Sequence, residues 1–164
     1  MPTVVGECKY ARASADYPCP EITWKPKNAI SGGPVLVYEG NCCFDFSTTP
    51  RSKYNFICNY EVMAYDIFGT RSGTPDRTAI GCTKDGKIIL FACDGRIPSS
   101  KGATLIELAQ IMKGLGCEYA LNLDGGGSTA IVVAGQRLNS LESNMNGGTE
   151  NRPVVSTVGF FRKR

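Results

Sequence analysis

Short runs of apolar residues, some alternating with polar ones, fill most of this chain, and one stretch carries clear helical spacing. In TLIELAQIMKGLG (104–116), Leu105, Leu108, Ala109, Met112 and Leu115 recur three or four residues apart, which predicts a helix with one apolar face. Thr104 can cap that helix and Glu107 completes a capping box. Gly114 or Gly116 can end it.

The other runs read as strands. PVLVYEGNCCFDF (34–46) predicts two strands about a turn at Gly40-Asn41. NFICNYEVMAYDI (55–67) leans towards strand, and FGTRSGTPDR (68–77) is a turn-rich loop. TAIGCTKDGKIILFAC (78–93) is the best hairpin. A two-residue turn at Asp85-Gly86 would set Cys82 opposite Ile89 and Thr78 opposite Cys93. EYALNL (118–123) is a buried strand, AIVVAGQRL (130–138) a strand pair about Gly135, and PVVSTVGFF (153–161) a final strand. SLESNMNGGTEN (140–151) is a polar loop, and residues 1–27 are irregular. The expectation is a single domain over 1–164, with 28–161 as its core. Its fold would be α+β, a mixed and mostly antiparallel sheet with few flanking helices.

The strand 118–123 runs into NLDGGGSTA, and three glycines contribute little to a strand. Alternation would turn Leu121 and Leu123 to the core and Asn122 and Asp124 away from it, at the C-terminal end where loops carry ligands. Gly125, Gly126 and Gly127 would let the main chain turn sharply and present an anion nest, with the hydroxyls of Ser128 and Thr129 beside it.

Arginines add to this picture. Arg77 precedes one hairpin strand, Asp94 and Arg96 follow the other, and Arg152 precedes the last strand. Each alone would be a solvated surface charge. Together at strand ends they describe a pocket for an anion such as phosphate.

Composition narrows the chemistry. The chain has 164 residues, 42% of them hydrophobic, with a net charge of +3. No basic stripe argues for nucleic acid, and no apolar run approaches a membrane span. MPTVVGECKY lacks the layout of a signal peptide, which reads as a cytoplasmic protein unless an export signal lies outside this chain. There is no histidine, which removes His-dependent nucleophile and metal systems. The eight cysteines include no CxxC pair and several sit in apolar runs, so they read as reduced packing residues rather than a zinc or redox site. No metal or other cofactor is expected.

NAISGGPVLVYEG, RTAIGCTKDGKIILFACDGR, KGATLIELAQIMKGLGCEYALNLDGGGSTAIVV and NRPVVSTVGFF, in that order from Asn28 to Phe161, resemble the motifs of the phosphodiester glycosidase family. The resemblance implies an α+β fold with a mixed sheet, and hydrolysis of a sugar–phosphodiester linkage that releases the sugar. On its motifs the substrate-binding set would be Arg77, Thr78, Gly95, Arg96, Asn122, Gly125, Gly126, Gly127, Ser128, Asn151 and Arg152. Asp124 would attack the anomeric carbon or activate water. Asp94 would be the alternative base or would orient an arginine, and Asn122 would hold a sugar hydroxyl. The phosphate leaving group needs little protonation but does need its charge stabilised. Members of the family carry a further segment ahead of GGP, so completion of the pocket by a second copy in a homo-oligomer is one expectation. The rival reading is a module that binds a phosphosugar or nucleotide-derived anion without cleaving it.

Overall fold

The computed structural model describes residues 30, 32–43, 75–140, 153–154 and 157–161. The expectations for 1–27, for 55–67 and the loop up to residue 74, for the loop beyond Ser140, and for Asn151 and Arg152 lie outside them. Five strands form one sheet in the order β2-β1-β5-β3-β4: β1 Val35–Tyr38, β2 Asn41–Cys42, β3 Arg77–Thr83, β4 Ile88–Cys93 and β5 Cys117–Asn122. One helix, α1 (Leu105–Gly114), joins β4 to β5. A separate two-stranded ribbon, β6 (Val132–Val133) and β7 (Gln136–Arg137), follows. This is the expected α+β fold, and every described pairing within it is antiparallel.

Helix α1 begins as its sequence dictates. The Thr104 hydroxyl accepts the Glu107 N–H, and the Glu107 carboxylate accepts the Thr104 N–H. Leu105, Leu108, Ala109 and Met112 are buried against Val35, Leu36, Val37, Ala79, Cys117 and Ala120, and this seam is the core. Leu115 departs from the expected apolar face: it is the C-cap residue and 47% exposed, because Gly116 at φ +83° has already turned the chain.

Two turns differ in register from expectation. The first hairpin turns at Glu39-Gly40, both with positive φ, not at Gly40-Asn41. In the second, Thr78 lies opposite Ala92 and Cys82 opposite Ile88, one residue off the two-residue alignment. Its loop holds three residues, Lys84, Asp85 and Gly86, because the Thr83 N–H reaches the Lys87 carbonyl and Gly86 takes the left-handed position. The described residues of 153–161 are not in a strand, and Phe161 is 93% exposed. Among the described residues this segment has no ladder partner, and an apolar pattern alone does not make a strand.

Candidate active site

The C-terminal end of β5, the start of β3 and the end of β4 share one edge of the sheet, so residues 75–78, 94–96 and 123–129 meet there. The meeting point is the segment Pro75-Asp76-Arg77. Asp76 is 2% exposed, and its Oδ1 accepts the Gly95 N–H at 2.7 Å. Its main-chain carbonyl accepts the Gly126 N–H at 2.9 Å. Arg77 is 8% exposed and gives its Nε–H to the Ala103 carbonyl at 2.8 Å, just ahead of the helix cap. Arg77, expected as a surface arginine at the strand end, is therefore buried there. Burial of a guanidinium with a carbonyl partner is a structural tie.

Asn122 also departs from expectation. It pairs with Ala79 and is 8% exposed, on the face that carries the helix. Its Nδ2 donates to the Gly33 carbonyl at 2.8 Å, while Leu121 and Leu123 are only half-buried. The alternation was assigned to the wrong face because the tie from Asn122 to the 32–34 segment is remote in sequence. Buried polar groups turn inward where a backbone partner awaits them.

The glycines form a single 3-10 turn, Gly126–Ser128, entered at φ +57° by Gly126. The Gly126 N–H is given to Asp76, the Ser128 N–H to Gly125 and the Thr129 N–H to Gly126. The expected open nest of successive N–H groups is thus partly consumed from within, because the turn is strapped to β3. Gly125 must be glycine for space: a Cβ there would lie 2.7 Å from the Asp76 carbonyl oxygen.

On the opposite face of the sheet a cavity of about 320 Å³ opens. Thr78, Asp124 and Ser128 line it together, with Leu90, Leu123 and Ile131 among its apolar walls. Asp124 is exposed and is the one ionisable group among the described lining residues. The Thr78 hydroxyl donates to that of Thr129 at 3.2 Å. Of the other sequence candidates, Gly95 is buried against Pro75 and Asp76, and Arg96 is exposed with φ +54°. Asp94 accepts the Ser140 N–H on both carboxylate oxygens, at 2.9 and 3.1 Å, and so anchors the chain leaving β7. Asp76 escaped sequence reasoning. Its signal was an acidic residue directly before Arg77, which in isolation reads as a loop charge.

The cysteines near this region are thiols. Burial first, then the Asp94 and Asp76 carboxylates, push Cys93 above the ordinary thiol range. Burial likewise raises Cys82 and Cys117. These groups stay protonated near neutrality and pack rather than react. Among the described residues no group of acidic and cysteine side chains is arranged to hold a metal, and no helix is long and apolar enough to cross a membrane.

A family model described as phosphodiester glycosidase matches residues 9–161. The mouse N-acetylglucosamine-1-phosphodiester alpha-N-acetylglucosaminidase is 41% identical over 59 residues, 36% of this chain and 11% of that protein. A prophage-derived uncharacterized protein of Bacillus subtilis is 38% identical over 82 residues, 50% of this chain and 12% of that one. The zebrafish N-acetylglucosamine-1-phosphodiester alpha-N-acetylglucosaminidase catalytic domain, solved auto-inhibited by its pro-peptide, superposes with a TM-score of 0.52 at 26% identity, over 76% of this chain and 38% of that one. This chain thus spans about a tenth of the curated relatives it matches.

Proposed function

The chain belongs to the phosphodiester glycosidase family, and on that premise we propose that it acts in hydrolysis of a glycosyl-1-phosphodiester, releasing the sugar. The observation that carries this reading is the cavity wall that gathers Asp124, Ser128 and Thr78. A glycosyl phosphate needs a carboxylate facing its anomeric carbon, hydroxyls to orient the ring and a partner for the departing phosphate charge. Asp124 is the carboxylate, as nucleophile or as base for water. Thr78 and Ser128 orient the sugar. No lysine or arginine is among the described lining residues. In this reading the cations assigned to the phosphate charge are Arg96, which is exposed just after Asp94, and Arg152, which with Asn151 lies outside the described residues. Asp94 stays a positioning group, since Ser140 occupies its oxygens.

Release of free sugar from an N-acetylglucosamine-1-phosphodiester is the direct assay. Asp124→Asn lowers turnover by roughly 10²–10⁴-fold and leaves the thermal midpoint in place, because the side chain is exposed. Wild-type turnover in that variant refutes the assignment. Tight binding by the unaltered protein with no sugar released on prolonged incubation would replace hydrolysis by binding.

A further inference from the structure

We propose that Asp76 is a positioning residue that couples the 94–96 loop to the glycine turn, so that the backbone after Asp124 keeps its place only while the Asp76 carboxylate holds Gly95. The two loops touch opposite sides of the same residue. On one side, Gly95 lies so close that a Cβ would sit 2.5 Å from the Asp76 nitrogen. On the other, Gly125 lies so close that a Cβ would sit 2.7 Å from the Asp76 carbonyl oxygen. Each contact is backed by a hydrogen bond, from Gly95 to the side chain and from Gly126 to the main chain. Close-packed backbone has little freedom to absorb a shift, so displacement of one loop passes through Asp76 to the other.

The residue type supports a specific tie rather than filling of space. A carboxyl group with 2% exposure is costly in a packed position, and the Gly95 N–H offsets part of that cost at Oδ1. The Gly95 nitrogen meets Oδ1 at 2.7 Å, the short end of the ordinary N–H···O range. Asp76 is too buried to touch a substrate. Its effect on catalysis runs through the chain that carries Asp124, and that consequence rests on the function proposed above.

Amide hydrogen exchange tests the coupling without any assay of turnover. In Asp76→Ala, the amides of Gly95 and Gly126 should both exchange at least about tenfold faster, while those of Ala79, Gly81 and Ala120 in the sheet keep their rates. Asp76→Asn retains a carbonyl oxygen for Gly95 and should restore both amides to within about threefold of the original rate. Faster exchange at Gly95 with Gly126 unchanged overturns the proposal. Should Asp76→Ala fail to fold, Gly125→Ala approaches the same residue from the far side, and the proposal requires the Gly95 amide to speed up there. An unchanged Gly95 amide in folded Gly125→Ala also overturns it. In the turnover assay Asp76→Ala should lower kcat with KM nearly constant, and Asp76→Asn should recover most of it. If the unaltered protein releases no sugar, the proposed function falls and the exchange result still decides the coupling.

Discussion

The start of helix α1 and the Pro75-Asp76-Arg77 segment are joined at Ala103, which bonds to Pro75 and Arg77, and are built on opposite plans. At the helix, everything needed lies within four residues: Thr104 and Glu107 satisfy each other's backbone N–H groups at an exposed surface. At the Asp76 segment, each partner is remote. Gly95, Ala103 and Gly126 are 19, 26 and 50 residues from their bonding partners, and the groups are buried. A local device can be weakened piece by piece. A buried junction of three loops transmits any single defect to all of them.

Substitutions at the two places should therefore differ in size and in reach. The largest effect is expected of Gly95→Ala, whose new methyl meets Asp76 and Pro75 backbone at 2.5 Å. Overpacking against backbone should cost on the order of 3 kcal/mol, measured by denaturant unfolding. A loss no greater than that of Thr104→Ala would erase the contrast. Next comes Arg77→Ala, which removes a buried donor from the Ala103 carbonyl. It should cost about 2 kcal/mol, with lost amide protection at the helix N-terminus as well as in β3. Thr104→Ala should cost about 1 kcal/mol and disturb amides only in the first helical turn. Disturbance of Gly95 or Gly126 in that variant would show that the helix start is not local after all.

The smallest effect is that of pH on the capping box. Bonds from the Thr104 backbone N–H, then its hydroxyl, hold the Glu107 carboxyl below its ordinary range. A group whose folded pKa is depressed contributes stability above its unfolded pKa and loses it as pH falls through the folded value. Acidification below the usual glutamate range should thus fray the first turn of α1, and Glu107→Gln should remove that pH response. Because Glu107 is exposed, solvent screening keeps the effect small. A midpoint that falls equally with pH in Glu107→Gln would place the response elsewhere.

The same contrast explains what could be read in the chain before its fold was known. The helix, its cap and its buried residues followed from spacing and from two side chains three residues apart, Thr104 and Glu107. The antiparallel sheet followed from strand runs and glycine turns. The hairpin registers did not, since a two-residue and a three-residue turn differ only in where the main chain closes, as at Thr83 and Lys87. Within the site, Asp124, Ser128 and Thr78 were all named and all line one cavity. Arg77 was expected at a strand end facing an anion and Asn122 away from the core; both are buried, because the partners that draw them inward, Ala103 and Gly33, are invisible to local pattern. Asp76 was missed for the same reason. A charge beside a loop reads as solvated until a remote backbone N–H is known to meet it.

Strand order carries one more consequence. β5 lies at the centre of the sheet, between β1 and β3, yet it is the last of the five strands in the chain. During synthesis the β1–β2 and β3–β4 segments precede residues 117–122, which among the described residues are the ones that pair with the inner edges of β1 and β3. Non-local pairing of this kind is slow, and open edges invite the wrong partner. The sheet can therefore be completed only after Asn122 has been made, and the glycine turn at the cavity lies directly beyond that closing strand.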